Sequence, residues 1–100
     1  MVEGEVRWLL WDDSNIAHIA GHHVTAAEVE QVVYLDDNAV AFADDSHRPG
    51  RLLVLGSTRR GRLLFVALDA AASTGDRYVV TARPMTDKEQ GLYGEEGSDG

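Results

Sequence analysis

The sequence predicts an α+β fold built on an antiparallel sheet, and three observations carry that prediction. First, Arg51 to Arg83 holds three apolar runs rich in Leu, Val, Phe and Tyr, separated by a turn at Arg59-Arg60-Gly61 and by a small-residue loop before Arg77. Second, Thr25-Ala-Ala-Glu28 and Thr86-Asp-Lys-Glu89 each match a capping box, in which a Thr hydroxyl and a Glu carboxylate satisfy backbone N–H groups at a helix start. Third, the order is strand, helix, helix, four strands, helix, which suits helices laid on one face of a single sheet.

Val6 to Trp11 is rich in strand formers, and Asp12-Asp13-Ser14 supplies the oxygens that open a helix. Ile16, Ile19 and Ala20 then fall at helical spacing, predicting about three turns from Asp13 to His22. Val24 and Val29 flank the Thr25 cap as a hydrophobic staple, and Val29, Val32 and Val33 form the buried stripe of the second helix. Asp36-Asp37-Asn38 turns the chain into a short strand, Ala39 to Ala43. The meander strands follow at Arg51–Thr58, Arg62–Leu68 and Arg77–Arg83, the last closed by Pro84, which lacks an N–H donor. A final helix reaches about Tyr93. Residues 1–93 are thus expected to form one domain, and residues 94–100, with no apolar side chain to bury, a disordered acidic tail.

One hundred residues allow one modest core. The absence of cysteine excludes disulfides and thiolate metal sites, and no apolar run approaches a membrane span. The N-terminus lacks the basic start of a signal peptide, so a cytoplasmic location is expected.

The net charge of −8 is unevenly spread: −9 over residues 1–45, +5 over 46–85 and −4 over 86–100. A basic central sheet between acidic ends is consistent with an anion-binding face, or with arginines that pair with the chain's own acidic helices. In the last meander strand Arg77, Thr81 and Arg83 share parity, which points them to one sheet face, while Tyr78, Val80 and Ala82 point to the other, assigned to the helices. Arg59, Arg60 and Arg62 form either a phosphate-contacting hairpin tip or a solvated turn. Arg83 either binds phosphate or pairs with an acid of the terminal helix. Tyr93 either offers RNA a base-stacking ring or a proton, or closes the core with its hydroxyl outward. His18, His22 and His23 read as a helix-end cluster, as packing residues or as part of a zinc site, and His47 beside Arg48 is a further candidate. No phosphate-binding glycine loop, nucleophile elbow or dinucleotide fingerprint is present.

Leu10-Trp-Asp-Asp-Ser-Asn15, the run to His22, Val24-Thr25 and Glu28 resemble the opening of BrnT-type toxins of bacterial type II toxin-antitoxin pairs. Arg51, Gly56, Gly61-Arg62, Thr81-Ala82-Arg83, Glu89 and Tyr93 continue the resemblance, which covers roughly residues 6 to 93. The chain departs from that pattern at Gly21, His23 and Gly50, where the family usually has Lys, Gly and an acidic residue. The resemblance implies a RelE-like fold, ribonuclease activity that needs no metal or other cofactor, and a separate antitoxin chain covering the active surface. Carried over by position, Arg51, Arg83 and Tyr93 match residues associated with RNA cleavage and His22 matches the signature histidine of the family, so these four are the candidate catalytic residues. Arg59, Arg60, Arg62 and Arg77 are the candidate RNA contacts. A second reading, from a different class, is a non-catalytic module whose sheet face or edge docks another protein or a second copy of the chain.

Overall fold

The computed structural model describes residues 6–44 and 49–97. In chain order the elements are β1 (Trp8–Leu10), α1 (Asp13–Ala20), α2 (Ala26–Glu30) continued by a π-helical segment (Gln31–Leu35), β2 (Val40–Ala43), β3 (Leu52–Ser57), β4 (Leu63–Leu68), β5 (Asp76–Pro84) and α3 (Asp87–Gly97). The five strands make one sheet in the order β1-β5-β4-β3-β2.

The meander and β2 pair antiparallel as the sequence predicts, but β1 adds to β5 in parallel, so the sheet is mixed rather than wholly antiparallel. The short β1 gains its place from both sides. Its register runs from Trp8 opposite Asp76 to Leu10 opposite Tyr78, and its Leu9 N–H donates to the Tyr34 hydroxyl at 2.9 Å. Where β1 stops, α1 takes over the edge of β5: the buried Asn15 amide donates to the carbonyls of Leu10 (2.9 Å) and Val79 (3.1 Å). The same side chain closes the α1 capping box with Asp12, one residue ahead of the expected helix start.

The core lies between the sheet and α1, α2 and the π segment. Val54, Leu64, Val66, Leu68, Val79 and Ala82 of the sheet meet Ile19, Val24, Val29, Val32 and Val33, all of them buried. The staple and stripe read from the sequence are therefore in place. Gly56 lets the π segment approach β3, because a Cβ there would lie 2.7 Å from Val32 Cγ1 and 3.0 Å from Asp36 Oδ2.

Two features depart from expectation. A bulge in β5 opposite Ala67 and Leu68 pairs Ala67 with Thr81 but Leu68 with Val79, so Val80 is an extra residue and side-chain parity flips across it. Helix α3 lies on the opposite face from the other helices: Glu89 and Leu92 border a small apolar hollow with Phe42, Leu53, Leu55 and Phe65. It also runs to Gly97, so residues 94–97 are helical rather than part of a disordered tail.

Candidate functional site

The sheet face away from the core is only partly covered by α3, and its uncovered part forms a groove of about 440 Å³ lined by Asp44, Arg51, Leu53, Phe65, Ala67, Val80 and Thr81. Strand alternation builds it. Register aligns Phe42, Leu53, Ala67 and Thr81 in one row and Val40, Leu55, Phe65 and Arg83 in the next. Leu53, Phe65 and Ala67 give an apolar floor, while Arg51, Asp44 and Thr81 give a polar rim. The Arg51 Nε atom is buried and finds no hydrogen-bond partner among the described residues.

Arg83 reaches this face as predicted, but it is already engaged. Its guanidinium lies 4.1 Å from the centre of the Phe65 ring and grips Glu89 of α3 through two bonds of 2.8 and 2.9 Å. Both partners respond: the Arg83 hydrogen bond holds the Glu89 carboxyl below its usual range, and the Glu89 bond raises Arg83 further. Of the two readings left open for Arg83, pairing with a terminal-helix acid is the one realised. On sheet geometry the Cα atoms of Arg51 and Arg83 lie roughly 16 Å apart, two strands across and four residues along. What the two arginines share is Phe65, which borders the Arg51 groove and carries Arg83 on its ring.

Arg77 is corrected by the bulge. Lying before Val80, it shares the face of Val79, is 8 % exposed, and donates to the carbonyls of Gly50 (2.9 Å) and Asp69 (3.0 Å). It ties two loops together beneath the core face and does not reach the groove. Arg62 is likewise occupied: its Nη1 donates to both Glu28 oxygens at 3.0 and 3.1 Å and to the His23 carbonyl. Burial works to raise the Glu28 pKa, but the Thr25 N–H and the Arg62 guanidinium outweigh it and the net shift is downward. Arg59 and Arg60 are exposed at the hairpin tip, where the Arg59 N–H donates to Gln31 Oε1 at 3.0 Å.

Tyr93 stands with this hairpin rather than with Arg51. It lines a second hollow of about 260 Å³ with Gln31, Asp36, Thr58 and Arg59, and its hydroxyl donates to Asp36 Oδ2 at 2.9 Å. Burial, and then the neighbouring Asp36 carboxylate, push its pKa up to about 12, so the phenol keeps its proton across the neutral range. His22 lies in the turn that follows α1 with its ring edge-on to that of His18, centroids 5.4 Å apart. Among the described residues no group of three or more His, Cys, Asp or Glu side chains gathers in a way that could hold a metal ion. His47 lies outside the described residues.

Two contributors were missed by sequence reasoning. Phe65 alternates with the buried Leu64 and Val66, which places it on the face away from the core. His18 was grouped with the helix-end histidines, yet its Nε2 lies 3.0 Å from Thr81 Oγ1, on the rim of the groove. Neither link leaves a local signal: one needs the strand phase, the other a contact between residues 63 positions apart.

Among the described residues no helix is long and apolar enough to cross a membrane. No curated protein matches the chain significantly. The family model described as "Ribonuclease toxin, BrnT, of type II toxin-antitoxin system" matches residues 11–89, more than three quarters of the chain. That span takes in α1, the bulged β5 and every groove residue, so the chain belongs to the BrnT family of ribonuclease toxins of type II toxin-antitoxin systems.

Proposed function

We propose that this chain cleaves RNA without a metal ion, in the open-face groove, and that an antitoxin silences it by covering that face. The observation that carries the reading is Arg51: a guanidinium with a buried, unpartnered Nε on the rim of an apolar groove. A donor left unsatisfied by its own fold gains most when an acceptor arrives, and guanidinium matches two phosphate oxygens at once. The Phe65 floor suits a splayed nucleobase, because single-stranded RNA is held by stacking as well as by charge. Positive charge from arginine can stabilise the developing phosphorane without a metal. Arg59 and Arg60 serve as outlying phosphate contacts. Arg83 acts one step back, holding Phe65 and α3 in position.

The test is incubation of the purified chain with RNA in chelator at low salt. Wild type is expected to cleave, and Arg51→Ala to lose about 10²-fold or more, the scale for removing one preorganised donor to developing charge. Persistence of full activity in Arg51→Ala would remove the groove from consideration.

One observation favours the non-catalytic reading. Trp8 and Leu10 project from the same side of β1 and are 60 % and 42 % exposed, apolar surface of the kind that a protein partner covers. In that reading the chain docks a partner or a second copy through this edge. A chain that leaves RNA intact in the assay above, yet forms a dimer that Trp8→Glu dissociates in light scattering, would fit that role instead.

A further inference from the structure

We infer that His18, rather than the signature-matched His22, is the general base that takes the 2′-hydroxyl proton in this groove. The inference rests on the ribonuclease reading above and assigns the one group that reading leaves open.

Three observations converge on His18. Its Nε2 sits 3.0 Å from Thr81 Oγ1, and Thr81 lines the same groove as Arg51. His18 is itself exposed, so its nitrogen is held at the rim without being sealed from solvent. His22 stands behind it, its ring meeting the edge of His18 at an interplanar angle of 79°. Helix geometry explains the order: α1 abuts the edge of β5 through Asn15, and one turn on from Asn15 the same helix face delivers residue 18 to Thr81. The ionisable groups around it are His22, in the turn that follows α1, and, around the groove, Arg51 and Asp44.

Reach is sufficient. By strand spacing the Cα atoms of Arg51 and Thr81 lie roughly 12 Å apart, a span that a long arginine side chain and a dinucleotide phosphate fill together. With the phosphate on Arg51, the 2′-hydroxyl takes the place of the Thr81 hydroxyl at Nε2. Neutral His18 accepts the 2′ proton, the 2′-oxygen bonds to phosphorus, and the bond from phosphorus to the 5′-oxygen breaks. That oxygen takes a proton from solvent water, and the hydroxide so formed recovers the proton held on His18, leaving a 2′,3′-cyclic phosphate, a 5′-hydroxyl and the starting form of the chain. Thr81 is a positioning residue that holds the ring when no RNA is bound.

The experiment is single-turnover cleavage of an RNA oligonucleotide by the full chain in chelator, with binding followed separately by fluorescence anisotropy. His18→Gln keeps a hydrogen-bonding group facing Thr81 but cannot take up a proton; it is expected to slow cleavage by about 10²–10⁴-fold at nearly unchanged Kd and to remove one ionisation from the pH–rate profile. His22→Gln is expected to slow cleavage less than His18→Gln and to keep the ionisation that His18→Gln removes, and His18→Ala to regain part of its rate with added imidazole. Thr81→Ser should retain activity and Thr81→Val should lose less than His18→Gln. If Arg51→Ala is inert while His18→Gln cleaves normally, the assignment of His18 is overturned and the ribonuclease reading stands. If wild type leaves RNA intact, both fall.

Discussion

His23 adopts φ 62°, the left-handed region that non-glycine residues occupy at a cost. The surrounding hydrogen bonds require it: His23 N–H reaches the Ala20 carbonyl and Val24 N–H reaches that of Ile19, the paired bonds of a Schellman ending, with buried Val24 against buried Ile19. This is the position where the family pattern carries glycine, and the geometry supplies the reason. His23→Gly is therefore expected to stabilise the chain by roughly 0.5–1 kcal/mol, raising Tm by several degrees in a thermal melt monitored by circular dichroism. The departure from the family pattern was legible in the sequence, but its backbone meaning was not, because αL geometry is set by the two bonds that close around it. Arg83 was legible in the same partial way. Its place at a strand end suggested either phosphate or a terminal-helix acid, and only the docking of α3 decides between them.

Helix α3 is an element attached at few points. Its capping box is intact, with Thr86 N–H to Glu89 Oε1 at 2.9 Å and Glu89 N–H to Thr86 Oγ1 at 3.2 Å. Beyond the cap it is held by Arg83 on Glu89, by Tyr93 on Asp36 and by Leu92 at the border of the apolar hollow. Glu89→Gln should weaken its first turn and cost about 1 kcal/mol, the scale of a partly exposed bidentate pair, read as a lower urea midpoint with m unchanged. The folded state depresses the Glu89 and Glu28 carboxyls below 4.5, so their contribution is present above that pH and is lost as pH falls through the lower folded values. Urea melts at pH 7 and pH 3 are expected to show a smaller loss on acidification for Glu89→Gln than for wild type. At the other helical contact, Gly56→Ala would press a methyl group on Val32 and Asp36, and a loss of about 1–3 kcal/mol is expected in the same melts. Both capping boxes were readable in advance, because a cap is a property of four consecutive residues. The π-helical turn after Glu30 was not, because it depends on how closely β3 approaches.

For the whole molecule, the uneven charge noted in the sequence resolves in part into internal pairing of arginines. Arg62 and Arg83 meet carboxylates, Arg77 clamps loop carbonyls, and Arg59, Arg60 and Arg51 face outward or into the groove. Binding of single-stranded RNA should therefore depend on salt through a short set of contacts. Replacing Arg59 and Arg60 together by alanine is expected to reduce the slope of log K against log salt by about 0.7 per lost phosphate contact, measured by anisotropy titration. The fold class and the meander were readable from local pattern. The parallel docking of β1 on β5 was not, since Trp8 and Asp76 are remote in the chain and their pairing leaves no periodic trace. The extra residue at Val80 was equally silent, and it has the widest reach of any single position. It works like an inserted letter in a line of text, after which every character falls in the other column. A version of the chain one residue shorter between Arg77 and Thr81 would turn its downstream half over, sending the Ala82 methyl outward and driving the Arg83 guanidinium among the packed valines. Insertions and deletions in this strand should thus be tolerated far less than substitutions, and the count of residues, as much as their kind, decides which side of the sheet bears charge.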